Sequence, residues 1–156
     1  MTYATTLPTD CPRSARKVFS RDGTTSIYRL TVCTKNNQPW LTQPDAHQTL
    51  LAAWKEADTW MVGHYLLMPD HVHLFCAPHL ARVDLGHWVR FWQSHFRSAN
   101  FTKPWEWARN YCDTRLHDHD DYTAKWEYTQ QNPIRHGHVE TPEDWPYQGQ
   151  LNDLEA

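Results

Sequence analysis

Residues 59–77 read TWMVGHYLLMPDHVHLFCA, and this stretch decides the fold predicted for the chain. Two runs rich in apolar and aromatic residues, 59–68 and 71–77, flank the dipeptide Pro69-Asp70. Proline followed by aspartate favours a turn, and the flanking composition is typical of strands. The two runs are therefore predicted to pair as an antiparallel β-hairpin.

Periodicity predicts further elements on both sides of the hairpin. A β-branched and aromatic run predicts a strand before it, and apolar residues near helical spacing predict one helix before and one after it. Asp118 or Asp120 can cap a third helix that continues to about Asn132. The predicted order is strand, helix, strand, strand, helix, strand, helix, at residues 27–34, 45–57, 59–68, 71–77, 83–99, 111–116 and 118–132. Pro133 should end the last helix. An α+β fold, a ferredoxin-like antiparallel sheet with helices on one face, accommodates this order.

Length and composition indicate one globular domain. The chain has 156 residues, nine of them Trp, and only 21% are charged, which suits a packed core. We expect residues 1–150 to form this domain and residues 151–156 a short tail. An apolar run long enough for a membrane span is absent, as is a signal-peptide pattern, so we expect a cytoplasmic location. The four cysteines form no Cys-x-x-Cys pair, which argues against a zinc ribbon or a thioredoxin-type site.

Charge is unevenly distributed along the chain, whose formal net charge is −3. Residues 1–35 contain six Lys or Arg and two acids, whereas residues 118–156 contain two and nine. This asymmetry permits a basic, nucleic-acid-binding face as well as an ordinary mixed surface, and the sequence does not decide between them. The residues that could form this basic face are Arg13, Arg16, Lys17, Arg21, Arg90, Arg97, Arg109 and Arg115. The candidate nucleic-acid contacts are Arg13, Arg16, Lys17, Arg97, Arg115 and Arg135.

The hairpin contains a His-x-His pair. Strand alternation places His71 and His73 on one face and Val72 on the other, so two imidazoles can chelate one divalent metal ion. Alone, this spacing is a weak signal. The same spacing at His136 and His138 lies in polar surroundings, where solvated surface histidines are the preferred interpretation.

A second segment, KWEYTQQNPIRHG at residues 125–137, carries a candidate nucleophile. On a helix, Tyr128 and Asn132 share a face, whereas Trp126 lies about 200° round from Tyr128 and can pack into the core. Pro133 disfavours helical backbone at Asn132. From this segment alone, a partly buried tyrosine with a bonded hydroxyl would be the better interpretation.

Together the two segments resemble a known family. The run from Met68 to Phe75, the run from Trp126 to Gly137 and the following PEDWPY at residues 142–147 look like REP-associated tyrosine transposases. These are relatives of the small single-strand DNA transposases of bacterial insertion sequences. The resemblance extends from about Cys11 to Gly149.

The resemblance implies the HUH single-tyrosine endonuclease fold and a specific set of site residues. His71 and His73 match the histidine pair, Tyr128 matches the nucleophile, and Asn132 matches a ligand one turn later, with Gln131 a weaker substitute. The implied metal is Mg²⁺ or Mn²⁺. The implied substrate is single-stranded DNA next to a hairpin such as a repetitive extragenic palindrome, and a monomer is favoured over a dimer.

The expected chemistry is metal-dependent cleavage and rejoining of DNA through a 5′-phosphotyrosine. An ordinary phenol has a pKa of about 10, so attack on a phosphodiester needs a charge-stabilising environment. A divalent metal polarises the phosphate and stabilises developing charge. Because a phenolate leaves more readily than an alkoxide, a 3′-hydroxyl can religate the strand without ATP.

Two alternatives stay open on the sequence. A catalytically inactive hairpin-DNA-binding protein would keep the fold without turnover. A zinc- or nucleotide-binding hydrolase would use the His-x-His pair without depending on Tyr128.

Overall fold

A computed structural model describes residues 26–79 and 83–154. Within these ranges, five strands form one antiparallel sheet, accompanied by α-helices and two short 3₁₀ helices at Lys35–Asn37 and Pro142–Asp144. The elements, in chain order, are β1 (Tyr28–Thr34), α1 (Pro44–Glu56), β2 (Trp60–Met68), β3 (His71–Pro78), α2 (Leu85–Ala99), β4 (Trp107–Arg115), α3 (His119–Gln130), α4 (Asn132–Arg135) and β5 (Gln148–Gln150).

The strand order confirms the ferredoxin-like α+β prediction. The strands lie in the order β4-β1-β3-β2-β5, and every pair is antiparallel. The first four positions are those of two interleaved β-α-β units, and β5 adds a short edge strand. β3 lies at the centre, so its histidines are flanked by β1 on one side and β2 on the other.

One face of the sheet carries the main core, beneath α1 and α2. The aromatic stripe predicted on α2 is buried as expected, with Trp88, Trp92 and Phe96 at most 1% exposed. Trp88 donates its indole N–H to the carbonyl of Ala57 at 2.7 Å, which satisfies the polar atom that an indole brings into a core. The hydrogen bond joins α2 to the end of α1, and the shared core packs both helices against the sheet.

The opposite face of the sheet is covered by α3 and the C-terminal segment. Tyr122 stacks on Phe75 of β3 with ring centroids 4.6 Å apart, and Trp126 meets Phe75 edge-on. Trp145 is buried and donates its indole N–H to the carbonyl of Leu67 at 2.8 Å. The prediction of helices on one face therefore holds for α1 and α2, whereas α3 lies on the other face because Phe75 provides an apolar surface there.

Two element boundaries differ from the predictions. β4 begins four residues earlier than expected because Trp107 continues the pairing with Thr34 across a register shift. Pro133 begins a helix as well as ending one, since α3 stops at Gln130 and α4 contains Pro133 at its second position. Proline is tolerated there because the first turn of a helix leaves its N–H groups unbonded anyway.

The segment after β5 is packed against β2 as far as residue 154. Leu151 donates its N–H to the carbonyl of Gly63 at 3.0 Å, and the Asn152 amide donates to the carbonyl of Val62 at 2.9 Å. A Cβ on Gly63 would lie 2.8 Å from both Leu154 and the Tyr122 hydroxyl, so a larger residue here would displace one or both of these side chains. Among the helices of residues 26–79 and 83–154, none is long and apolar enough to cross a membrane.

Candidate active site

His71 and His73 form the centre of the candidate site. Both project from β3 on the side covered by α3, and their Nε2 atoms are 3.1 Å apart. Val72 points to the opposite face and joins the main core, as strand alternation predicts. His71 is only 3% exposed, whereas His73 is half-buried, so the pair is partly open to solvent on the side of His73.

Each imidazole has an orienting partner at its other nitrogen. Asp70 is buried, and its Oδ1 lies 2.9 Å from Nδ1 of His71. A carboxylate accepts, so Nδ1 carries the proton and Nε2 of His71 presents a lone pair. Nδ1 of His73 lies 3.0 Å from the hydroxyl of Thr31, which faces it directly across the β1–β3 ladder. A threonine hydroxyl can donate or accept, so it supports either tautomer of His73.

The environment keeps His73 neutral. Burial lowers its pKa well below the usual 6.5, and the charges of His71, Arg29 and Arg135 lower it further. A neutral imidazole is the form that binds a metal ion, because the proton and the metal compete for the same lone pair. His73 is therefore ready to act as a ligand at neutral pH.

The histidine pair fits one divalent cation in part. Two ligand atoms about 2.1 Å from a metal and at right angles to each other are about 3.0 Å apart, close to the observed Nε2 separation. Among residues 26–79 and 83–154, however, no third His, Cys, Asp or Glu joins them in a metal-binding group. Completion of an octahedral shell would need an amide oxygen, water or phosphate oxygens.

Tyr128 lies near the end of α3 and is 63% exposed. The helix is anchored by Tyr122, whose hydroxyl is 2.8 Å from Nδ1 of His64, and by Trp126, whose ring is centred 4.5 Å from the His64 ring. As expected, Trp126 packs inward while Tyr128 points away from the core. A phenol held on a rigid helix and open to solvent is accessible to a polymeric substrate.

Arg135 connects Tyr128 to Asn132. Its guanidinium lies over the Tyr128 ring at 4.4 Å from the centroid and donates to Oδ1 of Asn132 at 2.8 Å. The same group lies 3.4 Å from the carbonyl oxygen of Tyr128. The structure thus brings these three predicted residues together, although Asn132 opens α4 instead of extending α3, and its amide oxygen faces Arg135.

Arg29 belongs to the same site, although no motif in the sequence identifies it. Burial lowers its pKa, whereas the charges of Tyr128 and Asp121 act in the opposite direction. The charge of Arg29 also lowers the pKa of His73. One cation therefore lies within electrostatic range of both the tyrosine and the histidine pair. Its place two residues before Thr31 puts it on the same face of β1, a signal that becomes informative only once the β1–β3 pairing is known.

His136 is a second residue that the sequence misplaced. It was expected on the solvated surface, but it is half-buried. Burial lowers its pKa. The charges of His71, His138 and Arg135 lower the pKa further, whereas the charge of Asp70 raises it. Its neighbours come from β3 and the preceding turn, so it lies at the edge of the histidine site.

Of the predicted DNA contacts, the three that lie within residues 26–79 and 83–154 are far apart from one another. Arg13, Arg16 and Lys17 lie outside the described residues. Arg135 is at the tyrosine, and Arg97 is exposed on α2 and lines a separate groove. Arg115 is exposed at the far end of β4, about 26 Å along the strand from Trp107.

Comparison with known proteins identifies one curated relative and two solved structures of interest. A Haemophilus influenzae protein described as a candidate REP-associated tyrosine transposase is 27% identical over an alignment of length 108 that covers 58% of this chain and 58% of that protein. A REP-associated tyrosine transposase described as bound to a REP hairpin has a TM-score of 0.71 at 21% identity, over 86% of this chain and 81% of its own. No protein-family profile matches the chain.

The second structure is described as a candidate transposase from Deinococcus radiodurans R1. It has a TM-score of 0.51 at 19% identity and covers 72% of this chain and 96% of its own. At these identities the two structures establish a shared fold, and the curated relative adds a similarity in sequence. In both sequence and fold, the chain is similar to the REP-associated tyrosine transposases, which confirms the resemblance predicted from its two motifs.

Proposed function

We propose that this protein is a metal-dependent single-stranded DNA endonuclease and strand transferase that cleaves next to DNA hairpins. Tyr128 is the nucleophile and His71 and His73 are metal ligands. The observation that carries this proposal is the pair of Nε2 atoms 3.1 Å apart, with each imidazole held at its Nδ1 by a neighbouring side chain. The pair lies on the sheet face that α3 covers, and α3 carries the exposed Tyr128. This combination suits phosphodiester chemistry better than a structural role.

The proposed step transfers a phosphoryl group from a DNA 3′-oxygen to the tyrosine. The Tyr128 Oη forms a bond to phosphorus while the bond from phosphorus to the 3′-oxygen breaks. The phenolic proton is released, and the departing 3′-oxygen takes up a proton, so the products are a 5′-phosphotyrosine and a free 3′-hydroxyl. Attack by a 3′-hydroxyl reverses the step, rejoins the strand and restores the phenol.

The charges around Tyr128 support this step. Arg29 and Arg135 place two cations in electrostatic range of the phenol and the histidine pair. Cations fixed before the reaction stabilise the negative charge that accumulates on a phosphate in the transition state. Arg135 is available for this role once it exchanges its contact with the Asn132 amide for a phosphate oxygen.

The metal we propose is Mg²⁺ or Mn²⁺, as the resemblance implies, and the two imidazole nitrogens favour Mn²⁺ because Mg²⁺ prefers oxygen ligands. His71 and His73 would hold the ion, and Asn132 would supply an amide oxygen after its contact with Arg135 is released. When bound, the ion polarises the phosphate and neutralises part of its charge. Asp70 and Thr31 then act as positioning residues, because they fix the ring orientations and keep the Nε2 lone pairs available.

The substrate proposed here is single-stranded DNA beside a hairpin, by analogy with the similar structure described as bound to a REP hairpin. We further propose that the protein acts as a monomer. Both statements are open to test with purified protein, the second by the mass measured in solution by light scattering with and without hairpin DNA.

The experiment that tests the function is a search for a covalent adduct. Wild-type protein is incubated with Mn²⁺ and a 5′- or 3′-labelled hairpin oligonucleotide carrying single-stranded flanks, and the products are separated on a denaturing gel. We expect an adduct with the fragment that retains the 5′-phosphate, and its loss in Tyr128→Phe and on chelation of the metal. Tyr147→Phe serves as the matched control, because Tyr147 packs against Trp145 away from the proposed nucleophile.

The other outcomes separate the alternatives. Hairpin binding without an adduct, across several metals and hairpin sequences, would favour an inactive binding protein. Cleavage that persists in Tyr128→Phe but is lost in His71→Gln would favour a histidine-dependent hydrolase.

A further inference from the structure

A second candidate surface lies away from Tyr128, beside α2 and β4. It is an open groove of about 1300 Å³. Its walls come from the C-terminal half of α2, the segment leading to β4, the beginning of β4 and the turn after β1. The groove lies next to the edge strand β4, on the face of the sheet that α2 covers. The helix α3 and Tyr128 lie on the opposite face.

The groove concentrates positive charge in a chain whose net charge is −3. Five cationic side chains line it, with one carboxylate, Glu106. They are Lys35, Arg90, Arg97, Lys103 and Arg109. An excess of four positive charges in one concave surface is the electrostatic footprint expected for a phosphate backbone.

Three of these cationic side chains, Arg90, Arg97 and Arg109, are available to bind a ligand phosphate. Lys35 pairs with Glu106 at 3.4 Å, and Lys103 lies over the Trp105 ring at 5.4 Å from its centroid. Within residues 26–79 and 83–154, no ion pair engages Arg90, Arg97 or Arg109. Unpaired arginines at the surface can bind phosphate oxygens without first breaking an internal contact.

An aromatic side chain completes the groove. Phe101 is 85% exposed and projects from the segment after α2. A single exposed phenylalanine is common on protein surfaces and would carry little weight alone. Beside a row of cations, however, it provides the π-face on which an unpaired base stacks, and grooves for single-stranded nucleic acids combine these two features.

The groove opens at the same end of the sheet as the histidine site. Thr34 donates its N–H to the carbonyl of Asp70, the residue that orients His71, and Lys35 donates its N–H to the carbonyl of Glu106 on the groove wall. β3 and β4 are two strand spacings apart, about 10 Å. Because the two sites lie on opposite faces of the sheet, a nucleic-acid strand that joins them would pass around this end of the sheet.

We propose that this groove binds the single-stranded DNA flank of the substrate, with Arg97 and Arg109 contacting phosphates and Phe101 stacking on a base. The inference rests on the proposed function in taking DNA as the substrate, and it adds a binding surface separate from the cleavage site. Duplex DNA is disfavoured as the occupant because its bases are already stacked on one another and unavailable to Phe101.

The test measures binding without cleavage. Fluorescence anisotropy of a labelled, unstructured thymidine oligonucleotide is recorded with chelator present, in a Tyr128→Phe background, from about 50 to about 200 mM salt. We expect the double variant Arg97→Gln, Arg109→Gln to reduce the salt slope by about 1.4, since each lost single-strand phosphate contact removes about 0.7. Phe101→Ala should weaken binding about fivefold or more, and Phe101→Trp should restore it.

The matched control is Lys55→Gln, which removes an exposed cation at the end of α1 outside the groove. All the changed side chains are exposed, so thermal melting should be unchanged and a folding defect would be recognised. Affinity and salt slope equal to the control in both groove variants would overturn the inference. The inference would also be overturned if the groove variants lost affinity for duplex DNA as much as for the thymidine oligonucleotide. The same holds if the protein bound an acidic polypeptide more tightly than DNA.

The two proposals fail separately. An adduct formed by the wild type, with groove variants that bind the oligonucleotide normally, would reject the groove alone. Groove-dependent binding with no adduct under any metal condition would reject the cleavage mechanism alone.

Discussion

Replacing Asp70 by Asn tests whether the histidine pair is a metal site. Asp70 is buried, and its Oδ1 accepts from Nδ1 of His71 at 2.9 Å. Asn keeps the shape of the side chain but can turn its NH₂ toward Nδ1. The proton of His71 then moves to Nε2, the nitrogen that must present a lone pair to the metal.

The expected loss is set by the orienting role of the carboxylate. Removing such a partner of a ligating histidine typically costs 10–100-fold in metal affinity, or about 1.4–2.7 kcal/mol. Because His73 keeps its own partner, Thr31, one ligand of the pair stays correctly oriented and binding should weaken without vanishing. Saturating metal should therefore restore most of the adduct-forming rate.

Calorimetric titration with Mn²⁺ and the metal dependence of adduct formation are the two assays. Asp113→Asn is the matched control, since Asp113 is also a buried carboxylate on the sheet but its charge acts on Cys76 in the opposite core. Unchanged Mn²⁺ affinity in Asp70→Asn would refute the assignment of His71 as a ligand. An equal loss in Asp113→Asn would show that the effect comes from general destabilisation.

Three further predictions concern the same site and its support. Thr31→Val should lower Mn²⁺ affinity about tenfold in calorimetric titration, whereas Thr31→Ser, which keeps the hydroxyl, should not. The folded-state pKa of His73 lies below its usual 6.5, so the unfolded chain binds more protons between the two values, and stability is present above about 6.5 and lost as the pH falls. Urea unfolding should show this slope, and His73→Asn should reduce it, leaving the contributions of His47 and His136, whose pKa values burial also lowers. Trp145→Ala should reduce the free energy of unfolding by about 3–5 kcal/mol, because it leaves a cavity in the core and removes the hydrogen bond to the Leu67 carbonyl. Phe101→Ala, at an exposed position, should leave the free energy of unfolding unchanged within about 0.5 kcal/mol.

The order of elements and the facing of the two histidines could be predicted because both depend on local patterns, which are periodicity for most elements and a capping aspartate followed by Pro133 for α3. Alternation along 71–77 places His71 and His73 together whatever the strand pairs with. The apolar stripe of α2 likewise identifies its buried face before any partner is known. The position of Pro133 was harder to predict, because proline both ends one helix and starts another, and only the backbone after Gln130 distinguishes the two.

The sequence by itself determined the fold class, the histidine pair, and the separation of an inward Trp126 from an outward Tyr128. Only the tertiary structure decided what surrounds them. Thr31 and Arg29 reach the site through β1, 42 residues from His73 in the case of Thr31, because antiparallel pairing places distant residues side by side. A long-range contact also decided which side of the sheet α3 covers. The apolar residues of α3 show little helical periodicity, and the helix packs on Phe75 through Tyr122 and Trp126. Local patterns specify which side chains share a face, but contacts between faces depend on strand register and packing, which no single segment encodes.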